Sequence, residues 1–141
     1  MPERTDSSLG FALLKTAARL RLELAQRLRP FDLTTEQYAV LVQLWEGEGV
    51  SQSTLAELLL KDKPNITRII AKVERKGLVQ RDRDPDDRRS YQVHLTPAGR
   101  ELQNVVMPVV YELREQAYQG LDKTRQNELR RLLDTVFRNL N

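Results

Sequence analysis

The 141-residue sequence has no cysteine, a single histidine (His94), a single tryptophan and only 6% aromatic residues. Without cysteine there are no disulfides, no thiolate-bound zinc or iron–sulfur cluster, no thiol nucleophile and no cysteine-based peroxide sensing. One histidine argues against a His-rich metal centre and against Ser–His catalysis. No nucleophile motif, glycine-rich phosphate loop or metal-ligand spacing is present, so no catalytic residue, metal or cofactor is expected. Long hydrophobic runs are missing as well. The uncharged stretch 102–111 covers 10 residues and contains Pro108, against the roughly 20 that cross a bilayer. The start, Met1-Pro2-Glu3-Arg4-Thr5-Asp6, is polar and has no apolar segment behind a basic end. The expectation is a cytoplasmic protein with no signal peptide and no membrane partner.

What is present is charge, on a chain the length of one domain with enough residues to bury a core. The net charge of +3 conceals its distribution. Residues 1–60 carry 6 basic and 8 acidic side chains, residues 61–100 carry 11 and 6, and residues 101–141 carry 6 and 6. The positive excess therefore sits in the middle of the chain, as a footprint on a polyanion or as a solvated face. The positive set is 17 Arg to 6 Lys, and the planar arginine fork suits phosphates and base edges.

Hydrophobic spacing divides the chain into elements. Leu9, Leu13, Ala17, Leu20, Leu24 and Leu28 recur at helical steps, predicting a long amphipathic helix that ends at Pro30. Phe11, Leu14, Ala18, Leu22 and Ala25 widen its stripe, which calls for two neighbours, the chain's own core and a partner chain. Thr34-Thr35-Glu36-Gln37 is a capping box, opening a helix with Tyr38, Leu41, Val42 and Trp45 inward and Gly47 as its stop. Ser51 caps a third helix with Leu55, Leu58 and Leu59 as its apolar face. Pro64 lies in the first turn of a fourth, which runs to Lys76 and stops at Gly77. Then the period changes to that of two strands, 78–83 and 91–95, around Asp84-Pro85-Asp86-Asp87-Arg88-Arg89. Thr96-Pro97 restarts a helix with Leu102, Val105, Val106, Val109, Val110, Leu113 and Ala117 on one side. Asp122 caps a last helix carrying Leu129, Leu132, Leu133, Val136, Phe137 and Leu140.

Two short helices, a tight turn and a hairpin directly afterwards describe a winged helix-turn-helix, mainly α with a small β wing. On the fourth helix, Ile66, Ile69, Ile70 and Val73 share one face, and Pro64, Thr67, Arg68, Ala71, Lys72 and Arg75 the other. The small residues permit close approach, Thr67 and Arg68 can reach base edges, and Lys72 and Arg75 suit phosphates. The same pattern is also that of an amphipathic helix with solvated charges. At the hairpin tip, Arg88 and Arg89 can enter a minor groove. Asp86 and Asp87 would repel phosphate and are read as supports that pair with those arginines. A polar loop whose arginines merely pair with the aspartates is the alternative.

These segments resemble the MarR-type transcriptional regulators. The likeness is carried by Leu33-Thr34-Thr35-Glu36-Gln37, Leu55-Ala56-Glu57-Leu58 and Lys63-Pro64-Asn65-Ile66-Thr67-Arg68. It continues through Glu74-Arg75-Lys76-Gly77-Leu78-Val79-Gln80-Arg81, Asp84-Pro85-Asp86-Asp87-Arg88-Arg89 and Leu95-Thr96-Pro97-Ala98-Gly99-Arg100. The resemblance implies one MarR-type domain over 1–141, with dimerisation helices at about 7–30 and 97–141 and a winged helix-turn-helix lobe at about 33–96. It implies a triangular homodimer on a pseudo-palindromic operator in double-stranded DNA, usually acting as a repressor. By the family pattern residues 63–76, with Lys63, Pro64 and Asn65 at their start, read the major groove. Arg89, with Arg88 beside it, enters the minor groove.

Many family members bind a small, often aromatic anion between the dimer helices and the DNA-binding lobe. Phe11, Tyr38, Trp45 and Tyr111, with Leu14, are the candidate lining here and Arg19 the candidate anion partner, each also readable as plain core or surface. His94 is read as an outward-facing strand residue opposite the inward Tyr91, Val93 and Leu95. A winged-helix protein-interaction module without specific DNA binding is the competing function.

Overall fold

The described residues of this computed structural model, 8–47, 49–87 and 89–141, form six α-helices and a three-stranded antiparallel sheet. Helix α1 (Leu9–Leu28) starts at Ser8, whose Oγ accepts from the Phe11 amide at 3.0 Å. The α-helix ends at Leu28, just short of Pro30, while the chain stays coiled. It tightens into a 3-10 turn, Arg29–Phe31, that accommodates the proline in its first positions, and Asp32 then turns it with φ 54°. Helix α2 (Thr35–Glu46) opens on the expected reciprocal box: the Gln37 amide donates to Thr34 Oγ1 at 3.1 Å, and the Thr34 amide to Gln37 Oε1 at 3.3 Å.

Strand β1 (Val50–Ser51) precedes α3 (Gln52–Leu58), and Asp62 caps α4 (Lys63–Arg75). Strands β2 (Val79–Arg83) and β3 (Tyr91–Leu95) make the wing, in register from Val79 opposite Leu95 to Arg83 opposite Tyr91. β1 adds to the far edge of β3 through Val50 opposite Val93. A two-residue strand has no periodicity of its own, so nothing in the sequence marks it. Helix α5 (Pro97–Ala117) continues through Pro108, and α6 (Lys123–Asn139) completes the chain. None of the described helices is long and apolar enough to cross a membrane.

The core lies where α2, α3, α4 and the sheet meet the C-terminal end of α1 and the middle of α5. Leu28, Val40, Leu41, Leu44, Leu55, Ile66, Ile70, Val73, Val93 and Val106 are fully buried there. Two inward assignments shift. On α2, Val40 and Leu44 lie deepest, while Val42 and Trp45 pack at the margin. On α3, Leu58 is exposed and Ala56 buried. At 100° per residue Leu55, Ala56 and Leu59 share an arc that leaves Leu58 at its edge.

Outside this core the apolar stripes stay open. No residue of α6 is buried, although Leu129, Leu132, Leu133, Val136 and Phe137 lie on one helical face. Leu9, Leu14, Leu20 and Leu22 of α1 are exposed as well. A continuous apolar surface of this kind is a mark of an interface rather than of a free helix.

Candidate nucleic-acid interface

Burial of Ile66, Ile69, Ile70 and Val73 fixes the rotation of α4. The outermost ridge is therefore Pro64, Arg68, Ala71 and Arg75, with Thr67 on the α3 flank and Lys72 on the α2 flank. Arg68 Nη2 donates to Asn65 Oδ1 at 2.8 Å. Asn65 is held in turn by Asp62, its amide donating to Oδ1 at 2.8 Å and its Nδ2 to Oδ2 at 3.0 Å. The helix cap thus extends outward as a chain of hydrogen bonds that orients the guanidinium before any partner arrives. Such preorganisation reduces the entropy lost on binding. Lys63, Lys72 and Arg75 are exposed around it.

Thr67 behaves differently from expectation. Its hydroxyl donates to the Lys63 carbonyl at 2.8 Å and accepts from Gln52 Nε2 at 2.6 Å, so its polar atom is engaged inside the lobe. Of the two side chains expected to reach base edges, Arg68 is the one that stays exposed.

In the wing, the Asp84 amide donates to the Ser90 carbonyl at 3.0 Å and closes the loop. Asp87 Oδ1 accepts from the Arg89 amide at 3.0 Å and lies 3.6 Å from Arg89 Nε, while the Arg89 side chain is 94% exposed. Asp87 thus contacts Arg89 through both backbone and side chain. Asp86 acts through its amide, which donates to Asp84 Oδ1 at 2.9 Å. Arg88 lies outside the described residues.

Some of the mid-chain positive charge is structural, and sequence reasoning missed it. Arg81 donates to Glu74 from its amide at 3.1 Å and from Nε at 3.2 Å, and its guanidinium lies 5.5 Å from the centre of the Tyr91 ring. This clamp joins the last turn of α4 to the wing. No spacing rule announces it, because it bridges a helix and the strand after it. His94 is half-buried and faces Asp82 across the strands at 3.8 Å. Tyr91 is half-buried too, and Val93 and Leu95 are buried, as alternation requires.

The MarR family model matches residues 33–91, the span from the entry to α2 through the wing. The transcriptional repressor IacR of Pseudomonas putida is 30% identical over 91% of this chain and 77% of its own length. The chain belongs to the MarR family. A second relative, the transcriptional regulator TtmR of Methylorubrum extorquens, is 36% identical over 72% of this chain, and the match spans about half of its length (52%). The structure of CouR from Rhodococcus jostii RHA1 bound to p-coumaroyl-CoA superposes with a TM-score of 0.87 at 25% identity, covering 96% of this chain and 95% of that one.

Of the six residues named for an effector pocket in this MarR frame, Tyr38 neighbours Trp45 and lies within electrostatic reach of Tyr111, while Phe11, Leu14 and Arg19 lie along α1. Phe11 is exposed beneath Lys15, and Arg19 pairs with Glu23 at 3.6 Å. Tyr38 is buried edge-on to Trp45, with ring centres 6.3 Å apart, and its hydroxyl donates to Met107 Sδ at 3.8 Å. Trp45 Nε1 donates to the Gly99 carbonyl at 2.9 Å. Tyr111 is exposed on α5 under the Arg114 guanidinium. The two inner aromatics are fastened to α5, which a sequence cannot show. The cavity between α1 and the winged lobe lies elsewhere. It is a cleft of about 480 Å³ bordered by Leu20, Leu24, Ala39 and Leu59, with Arg21 and Lys61 at its rim.

Proposed function

We propose that this chain is a transcriptional regulator that binds a pseudo-palindromic operator as a homodimer and acts as a repressor. The helices at about 7–30 and 97–141 join the two copies, and the lobe at about 33–96 binds DNA. The observation that carries this reading is the outward ridge of α4, with Arg68 pre-set by Asn65 on a helix whose other face is fully buried. One recognition helix and one wing cover too little duplex for specific affinity. A twofold pair, with half-sites about 34 Å apart, supplies the rest, and the open faces of α1 and α6 supply the contact. No catalytic role is part of this reading, and its place of action is the cytoplasm.

Selection of bound duplexes from a random pool tests it. Expected is a two-fold symmetric motif, bound with an affinity that falls steeply with salt as counterions are released. Failure to bind any duplex at low salt would favour the protein-interaction reading instead.

Release by a small aromatic anion is supported by the cleft between α1 and the lobe, where apolar walls meet Arg21 and a Lys61 that pairs with Glu36 at 3.6 Å. Its volume lies within the range of about 300–1,000 Å³ usual for ligand sites. CouR, which is similar in fold, holds an aromatic acyl thioester. Phenolic carboxylates and their thioesters should raise the melting temperature and release operator DNA; a panel that does neither removes this part.

A further inference from the structure

Gly77 and Leu78 alone separate Lys76, the cap of α4, from Val79, the start of β2. The wing therefore hangs close to α4, and its tilt depends on what holds its two edges. The sheet order is β1-β3-β2, so β3 is held on one edge by β1, the strand that leads into α3. On the other edge β2 meets α4, with no further strand beyond it among the described residues. There Glu74, in the last turn of α4, holds Arg81 with both carboxylate oxygens. Oε2 accepts from the Arg81 amide at 3.1 Å and Oε1 from its Nε at 3.2 Å, with Nη2 also at 3.2 Å.

Backbone and side-chain donors from one residue fix a strand's rotation as well as its distance, which a lone charge contact does not. The hold continues outward. The guanidinium groups of Arg81 and Arg83 lie 5.5 Å and 5.9 Å from the centre of the Tyr91 ring, and Arg83 is the partner of Tyr91 in the ladder. The chain of contacts Glu74–Arg81–Tyr91–Arg83 thus runs from α4 to the mouth of the loop that carries Arg89. At the root, the Thr96 hydroxyl donates to the Gly77 carbonyl at 2.6 Å and its amide to the Leu78 carbonyl at 3.0 Å. Those bonds fix where the wing starts; Glu74 acts further along the strand and fixes where it points. The Glu74 and Arg81 side chains are 35% and 28% exposed. An ion pair that open to water adds little to stability, so its effect is geometric.

From this geometry we infer that Glu74 is a positioning residue for the wing. By holding Arg81 it sets the tilt of the hairpin against α4, and so the number of base pairs between the base read by Arg68 and the minor groove entered by Arg89. The inference rests on the operator-binding reading and adds to it a ruler within each half-site. Glu74 touches no DNA in this role. The grooves of a duplex recur at fixed intervals, so two readers held rigidly accept one spacing. Two readers free to tilt accept several, each with a greater loss of entropy on binding.

The test uses the full-length protein and an operator selected from random duplexes, in which the sequence under the wing is moved one base pair toward or away from the base read by Arg68. The wild type should lose about tenfold in affinity on either shift, the scale of one mismatched base pair. Glu74→Ala should bind the unshifted operator about tenfold more weakly and the shifted ones within about twofold of that value. Glu74→Gln, which keeps one acceptor oxygen, should fall between, and it carries the test alone if the alanine variant does not fold. In an Arg89→Ala protein, Glu74→Ala should change operator affinity by no more than about twofold, because its effect passes through that arginine. A role in stability alone would lower the melting temperature and leave the spacing preference intact. A role as a charge alone would tighten binding to random DNA when the carboxylate is removed, again with the preference intact. Wild-type spacing preference in the Glu74 variants therefore overturns the inference, as does a wild type indifferent to spacing. A wild type that binds no duplex overturns the operator reading together with it.

Discussion

The Lys76 ammonium lies 2.7 Å from the buried side-chain oxygen of Gln37, tying the end of α4 to the capping box of α2. The same ammonium donates to the Asp32 carbonyl and lies 3.7 Å from the Asp32 carboxylate. Two segments distant in sequence, the end of α4 and the turn into α2, therefore share one charge, and α4 is held at both ends: by Asp62 at its start and by Lys76 at its finish. Removing that charge while keeping the aliphatic stem should cost about 1–3 kcal/mol, the range for a hydrogen bond to a charged group. Urea unfolding of Lys76→Met at fixed protein concentration measures it, and an unchanged midpoint would show the tie to be dispensable.

Two glycines near the wing root should respond very differently to alanine. Gly77 has φ +77° and open space around a built Cβ, so the change meets only the left-handed backbone penalty of about 1–2 kcal/mol. At Gly99 a Cβ would fall 2.1 Å from the Leu78 carbonyl oxygen, a backbone atom that cannot step aside. The Gly99 carbonyl also receives the Trp45 indole N–H. Gly99→Ala should therefore lose about 3 kcal/mol or more, at or beyond the upper end of overpacking. It should also shift tryptophan fluorescence, which Gly77→Ala should leave in place. Equal losses would contradict the close approach of α5 to the wing root.

How far these features can be read in advance depends on their range in sequence. The helices and their caps are local: Thr34 with Gln37, Ser51 with Thr54 and Thr96 with Gly99 each close within three residues, and each was readable. So was the inward face of α4, because four buried positions on a short helix leave little freedom of rotation. What escaped is non-local. The β1 pairing depends on β3, some forty residues later. Thr67 looked like a base reader until Gln52, on another helix, was seen to take its hydroxyl. Tyr38 and Trp45 looked like pocket lining because nothing local says that Met107 and Gly99 would claim their polar atoms.

The open face of α6 makes a sharp prediction about assembly. Leu133 and Phe137 are 42% and 46% exposed, and no α6 residue enters the core, so acids placed there leave the winged lobe intact. Leu133→Asp with Phe137→Asp should give a monomer in sedimentation velocity, with the helical signal of the other elements retained. Operator affinity should fall about 100-fold or more, because two half-sites no longer bind as one unit. A dimer that survives both changes would place the interface elsewhere.

Tyr38 gives the fold an alkaline signature. Burial pushes its phenol above the ordinary value of 10.0, with the nearby Arg114 charge opposing that shift only in part. The unfolded chain therefore releases this proton first as pH rises through about 10, and stability falls from there toward the raised folded value. Tyr38→Phe should flatten that part of the stability–pH curve, and at pH 7 it should cost about 0.5–1.5 kcal/mol for the hydroxyl's contacts with Met107 Sδ and Arg114. Parallel curves for the two proteins above pH 10 would remove Tyr38 from the alkaline response.

The arginines of the interface should separate by what they touch. Arg68, held by Asn65 on the outer ridge of α4, is placed for a base edge. Arg68→Ala should cost about 1–3 kcal/mol on the operator and much less on random DNA. On the operator-binding reading, Arg75, three turns into the helix, and Arg89, whose exposed side chain leans on Asp87, would meet the backbone or the minor groove. Arg75→Ala should weaken operator and random DNA alike and lower the slope of log affinity against log salt by about one per contacted phosphate. Arg89→Ala should weaken binding most where the sequence under the wing narrows the minor groove, because that is where a groove-bound arginine gains most. Asn65→Ala supplies the decisive comparison. It leaves every charge in place but frees the Arg68 guanidinium, so it should lose operator preference with no change in salt slope. If Asn65→Ala keeps full preference, the hydrogen-bond chain from Asp62 to Arg68 does not set the reading of the operator.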